Sequence, residues 1–278
     1  MGAADDRPSD TDLDRLRHLA YADPRKLDDR RAIYQYQDPR PDFFGWILDQ
    51  VTWPHVGRVL DLGCGPGTHL ARLADREPGL AMVAADVSTG MLAVARQAAP
   101  RCRPVALDAC ALPLTDDSFE VVMANHMLYH VADLDRAASE LRRVIVAGGQ
   151  LLAVTNSLEH FAEFDALMAE AAGLESWWRP SHRFNLEHSG DDLARHFDHV
   201  DLRHCHGEIA VPDAGPMVTF ARSMRDLSAY AFSDDEWSVV LADFERLATA
   251  AIAEHGPFRI RTHTGAFVCS KGGELERS

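Results

Sequence analysis

Val59-Leu60-Asp61-Leu62 runs directly into a turn containing Gly63, Gly65 and Gly67. The apolar run fits a buried strand, and the glycines allow a tight turn and close approach by a ligand. Thr68 to Arg76 follows with helical character. Strand, glycine turn and helix in that order predict an α/β fold, with the turn at the carboxyl end of a strand. That is where open parallel sheets bind their ligands.

Three more runs have the same buried-strand character: Ala81–Ala85 ending at Asp86, Phe119–Ala124 ending at Asn125, and Leu151–Thr155 after Gly148-Gly149. Helices are predicted between them. Ser88 caps one that runs through Ala99, and Asp133 caps Leu134 to Val144. Strand–helix alternation specifies a parallel sheet with right-handed crossovers. The last third changes rhythm, with predicted helices over Leu158–Ala172, Gly190–Phe197, Met217–Tyr230 and Asp234–His255. Strands are predicted over Val200–Val211 and Phe258–Cys269. The helical insertion before the final strand is long for a connection and reads as a cap on the sheet. Leu13 to Asp49 is also helical and folds over the same edge as a lid.

These boundaries give an N-terminal lid over 13–54, a binding core over 55–156, a capped remainder over 157–257 and a last strand over 258–270. All belong to one domain, behind a disordered acidic leader over 1–12. A net charge of −15 argues against a phosphate backbone and an anionic membrane surface as partners. The five cysteines include no C-x-x-C pair, as expected of a reduced cytoplasmic protein without structural zinc. No signal peptide or membrane-spanning run is evident.

The glycine loop admits two kinds of nucleoside. A dinucleotide fingerprint wants glycine where Thr68 stands, and Asp61 places negative charge unfavourably close to a pyrophosphate. A phosphate-free, cationic nucleoside suits the acidic loop better. Asp86, at the end of the second strand, is placed to accept ribose hydroxyls in either case.

The chain here resembles the class I S-adenosylmethionine (SAM)-dependent methyltransferases. The resemblance rests on VLDLGCGPG (Val59–Gly67), Asp86 within AADVSTGML, Asp108-Ala109 before Leu112-Pro113, FEVVMANHMLYHV (Phe119–Val131) and ELRRVIVAGGQLLAVT (Glu140–Thr155). It covers about residues 55–160, and the remainder fits in outline. It implies a Rossmann-like, seven-stranded sheet of order 3-2-1-4-5-7-6 with strand 7 antiparallel. It also implies a cofactor site. Gly63, Cys64, Gly65 and Gly67 face the methionine moiety, and Asp61 belongs to the site indirectly by ordering the glycine turn. Asp86, with Val87 and Met91 in the same motif, faces the ribose, and Asp108 and Ala109 lie by the adenine. Asn125 lines the reaction mouth.

A methyl acceptor that must lose a proton needs a base, ideally one titrating near neutral pH. His126, just past the fourth strand, is the preferred candidate, and His130 is a second whose position is often structural in such enzymes. Their i, i+4 spacing imitates a metal pair, but Met127 stands where the glutamate of H-E-x-x-H would be. His204-Cys205-His206 puts two histidines on one face of a strand and reads as a solvated edge. No metal is therefore expected. Tyr34, Tyr36, Tyr129, Trp178, Arg179, His182 and Arg183 are candidate acceptor contacts. The aromatics would hold an apolar or cationic group, and the arginines a carboxylate.

There is no G-x-x-x-x-G-K-S/T loop, no G-x-S-x-G elbow, and no Pro-Pro motif after the fourth strand such as nucleobase amino-methyltransferases carry. The expectation is a cytoplasmic enzyme that methylates O, N or C of a small molecule in specialised metabolism, with homodimerisation left open. The alternatives are cyclisation, decarboxylation or elimination on the same fold, or a silent SAM-binding subunit.

Overall fold

A computed structural model describes residues 11–228 and 230–273; nearly all of the proposed acidic leader lies outside the described residues. Seven strands form one sheet of order β3-β2-β1-β4-β5-β7-β6. They are β1 (Gly57–Leu62), β2 (Leu80–Asp86), β3 (Arg103–Ala106), β4 (Phe119–Asn125), β5 (Ile145–Asn156), β6 (His199–Val211) and β7 (Phe258–Ser270). β1 pairs in parallel with β2 and β4, and β7 runs antiparallel to both β5 and β6. The order and the reversed strand are those implied by the resemblance.

The central strands are buried on both faces, which is why they read as continuous apolar runs. In β1, Leu60 and Leu62 join a core that contains Leu141, Leu151 and Phe267. Val59 points to the opposite core with Leu70, Met82 and Val154. Four helices flank these strands: α4 (Thr68–Arg76), α5 (Thr89–Ala98), α6 (Leu134–Val144) and α8 (Ser189–Ala194). The predicted caps form. Ser88 Oγ accepts from the Met91 amide at 3.2 Å, and the Asp133 carboxylate accepts from that of Arg136 at 3.0 Å.

A third core is aromatic and joins segments far apart in the chain. It packs Phe161, Phe164 and Met168 against Phe220, Trp237, Phe244, Ile33 and Trp177. Its helices are α7 (Ala162–Ala172), α9 (Ala214–Ser223) and α10 (Asp234–His255), with Ile33 contributed by a 3-10 turn, Ile33–Tyr36. α10 begins at a full capping box in which Ser233 and Glu236 bond each other's amides.

Several elements differ from the sequence expectation. The N-terminal segment is not one helical stretch. It breaks into α1 (Leu13–Arg15), a π-turn over Leu16–Ala20, α2 (Arg25–Ala32), the 3-10 turn and α3 (Phe43–Leu48). Pro24, Pro39 and Pro41 fall in the gaps, where proline interrupts helical hydrogen bonding. α7 starts at Ala162 rather than Leu158, because Phe161 is left-handed at φ 63° and its amide bonds Arg261 of β7. α9 stops at Ser223, short of Tyr230. β3 belongs to none of the predicted runs. It is short, mostly exposed and contains Pro104, so it carries no apolar signature.

Candidate active site at the carboxyl ends of β1, β2 and β4

The glycine loop leaves β1 with Gly63, Gly65 and Gly67 all at positive φ, between 53° and 79°. At Gly67 a Cβ would sit 2.9 Å from the Ala95 backbone, and at Gly63 it would run into Met127. The loop is thus closed around by α5 on one side and by the segment after β4 on the other. The Cys64 amide bonds the Ala85 carbonyl at 3.0 Å, tying the loop to β2.

Asp86 ends β2 with its carboxylate oriented by two amides: Gly65 N–H donates at 2.9 Å and Ser88 N–H at 2.8 Å. Each oxygen keeps further lone-pair capacity for a ligand hydroxyl. Burial raises its pKa, and those backbone hydrogen bonds act the other way. Val87 and Met91 follow at the start of α5, with Met91 buried. Asp108 accepts from the Cys110 amide at 2.9 Å, which leaves Ala109 buried at that turn.

Asp61 is 1% exposed, and neither of its carboxylate oxygens has a hydrogen-bond partner. Burial, and then the charge of Asp86, push its pKa well above the usual carboxylate range. Asn125 is 7% exposed and both of its amide atoms are likewise unpartnered. An unsatisfied buried polar group costs about 1–3 kcal/mol and calls for an explanation. Two of them, both at carboxyl ends of neighbouring strands, fit a site that a polar, cationic ligand completes. S-adenosylmethionine, with its ammonium and sulfonium, matches that donor and acceptor set.

His126 takes a left-handed backbone, φ 54°, and its amide bonds Val154 at 2.8 Å. Its half-buried ring lies 6.1 Å from that of Phe43. Burial first, and then the Arg31 charge, push its pKa down to about 4. That value lies below the near-neutral titration expected of a base at this position. His130 points elsewhere, its Nε2 2.9 Å from the Tyr21 hydroxyl.

The N-terminal segment covers this end of the sheet. Ser88 Oγ donates to the Tyr21 carbonyl at 2.8 Å, and the Arg30 guanidinium stands 5.1 Å over the Tyr21 ring. Arg30 is 8% exposed with Nη2 unpartnered, and its Nη1 makes only a long 3.4 Å contact to Ser223. Arg31 reaches Thr68 Oγ1 at 3.4 Å. Sequence reasoning missed Tyr21, Arg30 and Arg31. Their signal, a charged stretch ahead of the first strand, is indistinguishable from a solvated helix.

Among the predicted acceptor contacts, Tyr34 and Tyr129 carry phenols whose pKa burial raises. Tyr129 packs edge-on to His130 at 4.6 Å. Tyr34 meets a residue the sequence did not flag, His160, at 3.1 Å from Nε2. The His263 amide donates to His160 Nδ1 at 3.0 Å, so Nε2 carries the ring proton and donates to the Tyr34 oxygen. The Tyr34 hydroxyl proton is therefore left to donate elsewhere. Tyr36 packs at the margin of the aromatic core. Trp178 lies edge-on to half-buried His182 at 5.9 Å, and burial lowers the His182 pKa. Arg183 is exposed. Arg179 was expected to hold a ligand's carboxylate, but the one it holds is Asp165, ion-paired at 2.7 Å, and it also donates to the His160 carbonyl. Its charge is already matched within the chain.

Residues 60–153 match the family described as Methyltransferase domain. The chain is 41% identical over 110 residues to a demethylmenaquinone methyltransferase of Beutenbergia cavernae, which covers 40% of this chain and 45% of that one. It is 32% identical over 155 residues to a trans-aconitate 2-methyltransferase of Variovorax paradoxus, covering 55% and 60%. The chain thus spans about half the length of these curated relatives. A solved Haemonchus contortus phosphoethanolamine N-methyltransferase 2, in complex with phosphomonomethylethanolamine and S-adenosylhomocysteine, shares the fold. Its TM-score is 0.57 at 19% identity, over 96% of this chain and 61% of that one. No helix among the described residues is long and apolar enough to cross a membrane.

Proposed function

We propose that the chain, whose residues 60–153 match the family described as Methyltransferase domain, transfers the methyl group of S-adenosylmethionine to a small-molecule acceptor. The observation that carries the reading is the unpartnered, buried carboxylate of Asp61 beside the glycine loop and Asp86. When bound, S-adenosylmethionine supplies a methyl group activated by positive sulfur. The protein has to align the acceptor and exclude water.

In this reading Gly63, Cys64, Gly65 and Gly67 hold the methionine moiety, with Asp61 buried beneath the turn and both its oxygens left for a polar group of the ligand. Asp86, with Val87 and Met91, holds the ribose. Asp108 and Ala109 flank the adenine, and Asn125 faces the mouth. His126, neutral in the resting site, accepts a proton from the acceptor's O, N or C nucleophile. His130 is a positioning residue that anchors the Tyr21 cover rather than a second base. Tyr34 and Tyr129 orient the acceptor from the cover side. Arg30, buried with a nitrogen to spare, favours an acceptor that carries an anionic group. The acidic balance of the chain keeps nucleic acid out of that class. A cap assembled from segments apart in sequence suits a specialised acceptor.

The test is turnover with acceptors that include demethylmenaquinone and trans-aconitate, with S-adenosylhomocysteine and methylated product both quantified. The two should appear in equal amounts. His126→Ala should slow turnover about a hundredfold, the low end for a general base, while SAM affinity holds. Full turnover in that variant would remove His126 from the chemistry. A purified protein that ignores SAM but takes up NAD would overturn the reading.

A further inference from the structure

We propose that His204, His206 and His263 form a binding site for a divalent first-row transition ion of the zinc class, on one face of the β6–β7 pair. The site is separate from the methyl-transfer reading and does not depend on it. β6 and β7 are antiparallel, with His206 directly opposite His263 and His204 opposite Gly265. Side chains alternate across a strand, so His204 and His206 share a face, and the register brings His263 onto it. Cys205 lies between the two on the opposite face, which leaves the set made of nitrogen alone.

The three imidazoles touch. His204 Nδ1 and His263 Nε2 are 2.9 Å apart, and the His206 and His263 rings stack at 3.9 Å between centroids. One ring nitrogen from each residue lies within 4.8 Å of the other two. In a tetrahedral site with metal–nitrogen bonds of about 2.0–2.1 Å, ligand nitrogens stand about 3.3 Å apart. The cluster therefore needs to open at one pair and close slightly at the others, by rotation of two exposed side chains. Three imidazoles suit Zn2+, Co2+, Ni2+ or Cu2+, and disfavour the oxygen-seeking Mg2+ and Ca2+.

The surroundings favour a cation. A carboxylate is held close to the cluster: the Ser157 amide donates to the His263 carbonyl at 3.0 Å, and the Ser157 hydroxyl donates to Glu187. Glu187 is fixed there by Ser157 Oγ at 2.6 Å and the Leu158 amide at 3.1 Å. The nearby positive groups are already matched: Arg203 pairs with Asp201, Arg259 with Glu208 and Arg261 with Glu163. Exposure of His204 and His206 leaves a fourth position for water. Because β6 is the sheet's edge strand, an ion here clamps it to β7.

The experiment uses the full chain without an affinity tag. Co2+ is titrated by visible absorption and Zn2+ by calorimetry, in wild type, His204→Ala, His206→Ala and Cys110→Ser. We expect one ion per chain, a spectrum free of sulfur-to-metal bands, and a thermal midpoint that rises with Zn2+. Each histidine variant should bind at least about tenfold more weakly, while Cys110→Ser binds as wild type does. Both histidines are exposed, and an unchanged far-UV circular dichroism spectrum of the metal-free variants verifies that they fold. Equal ion affinity in the histidine variants, loss of binding in Cys110→Ser, or no binding to the wild type would each overturn the proposal.

Discussion

The loop end of β1 and β2 and the aromatic core of α7, α9 and α10 are built by opposite means. The first is local: within Val59 to Met91, three glycines at positive φ make the turn, the Gly65 and Ser88 amides donate to the Asp86 carboxylate, and Ser88 caps α5. The second joins distant segments. Phe164 of α7 packs on Phe220 of α9 and Phe244 of α10, each at 5.0 Å between ring centroids. Ile33, from before the first strand, completes that core. The two regions share no core and should respond separately to substitution.

The largest effect is expected in the aromatic core. Phe164→Ala removes a ring that is 2% exposed and should cost about 3–5 kcal/mol of stability by chemical denaturation. SAM affinity should stay within about threefold of wild type. A large loss of affinity would show that the two regions are one unit.

Asp86→Ala should weaken SAM at least tenfold by calorimetry, since hydrogen bonds to a charged group contribute about 1.5–3 kcal/mol. Acceptor KM should scarcely move. Unchanged SAM affinity would remove Asp86 from the site.

Acid should act through the imidazoles of His69 and His126, which lie against Phe44 and Phe43 of α3. Burial pushes the His69 pKa down to about 3 and that of His126 to about 4, while the unfolded chain titrates near 6.5. The unfolded chain binds the extra proton first. The stability due to neutral His69 is therefore full above about 6.5, falls as pH drops below it, and levels off only under about 3. By pH 5 the loss is about 2 kcal/mol for His69 alone. His69→Gln should flatten the pH 7.5-to-5 dependence by that amount, and an unaltered slope would show that His69 is accessible to protons in the folded state.

The smallest effect concerns Tyr34. Tyr34→Phe should raise acceptor KM several-fold, consistent with one hydrogen bond of about 0.5–1.5 kcal/mol, and leave SAM affinity untouched. An unchanged KM would place the Tyr34 proton away from the acceptor.

Legibility divides along the same line. The glycine loop, Asp86 and the caps at Ser88 and Asp133 could be read because residues close in sequence make their hydrogen bonds. β3 could not, since a short exposed edge strand with a proline has no apolar period. His160 was invisible for another reason: its partners are Tyr34, from before the first strand, and the backbone of β7. The three-histidine cluster shows the same limit, since only two of its members are neighbours in sequence.

The sequence by itself determined the layered α/β class and the place of the glycine turn at the end of β1. These follow from local backbone freedom and strand periodicity. Only the tertiary structure decided that the His126 ring is set beside Phe43, that Arg179 is occupied by Asp165 while Arg30 keeps a donor free, and that His263 joins His204 and His206. Each depends on burial or on distance between remote segments, quantities that a linear order of residues does not contain.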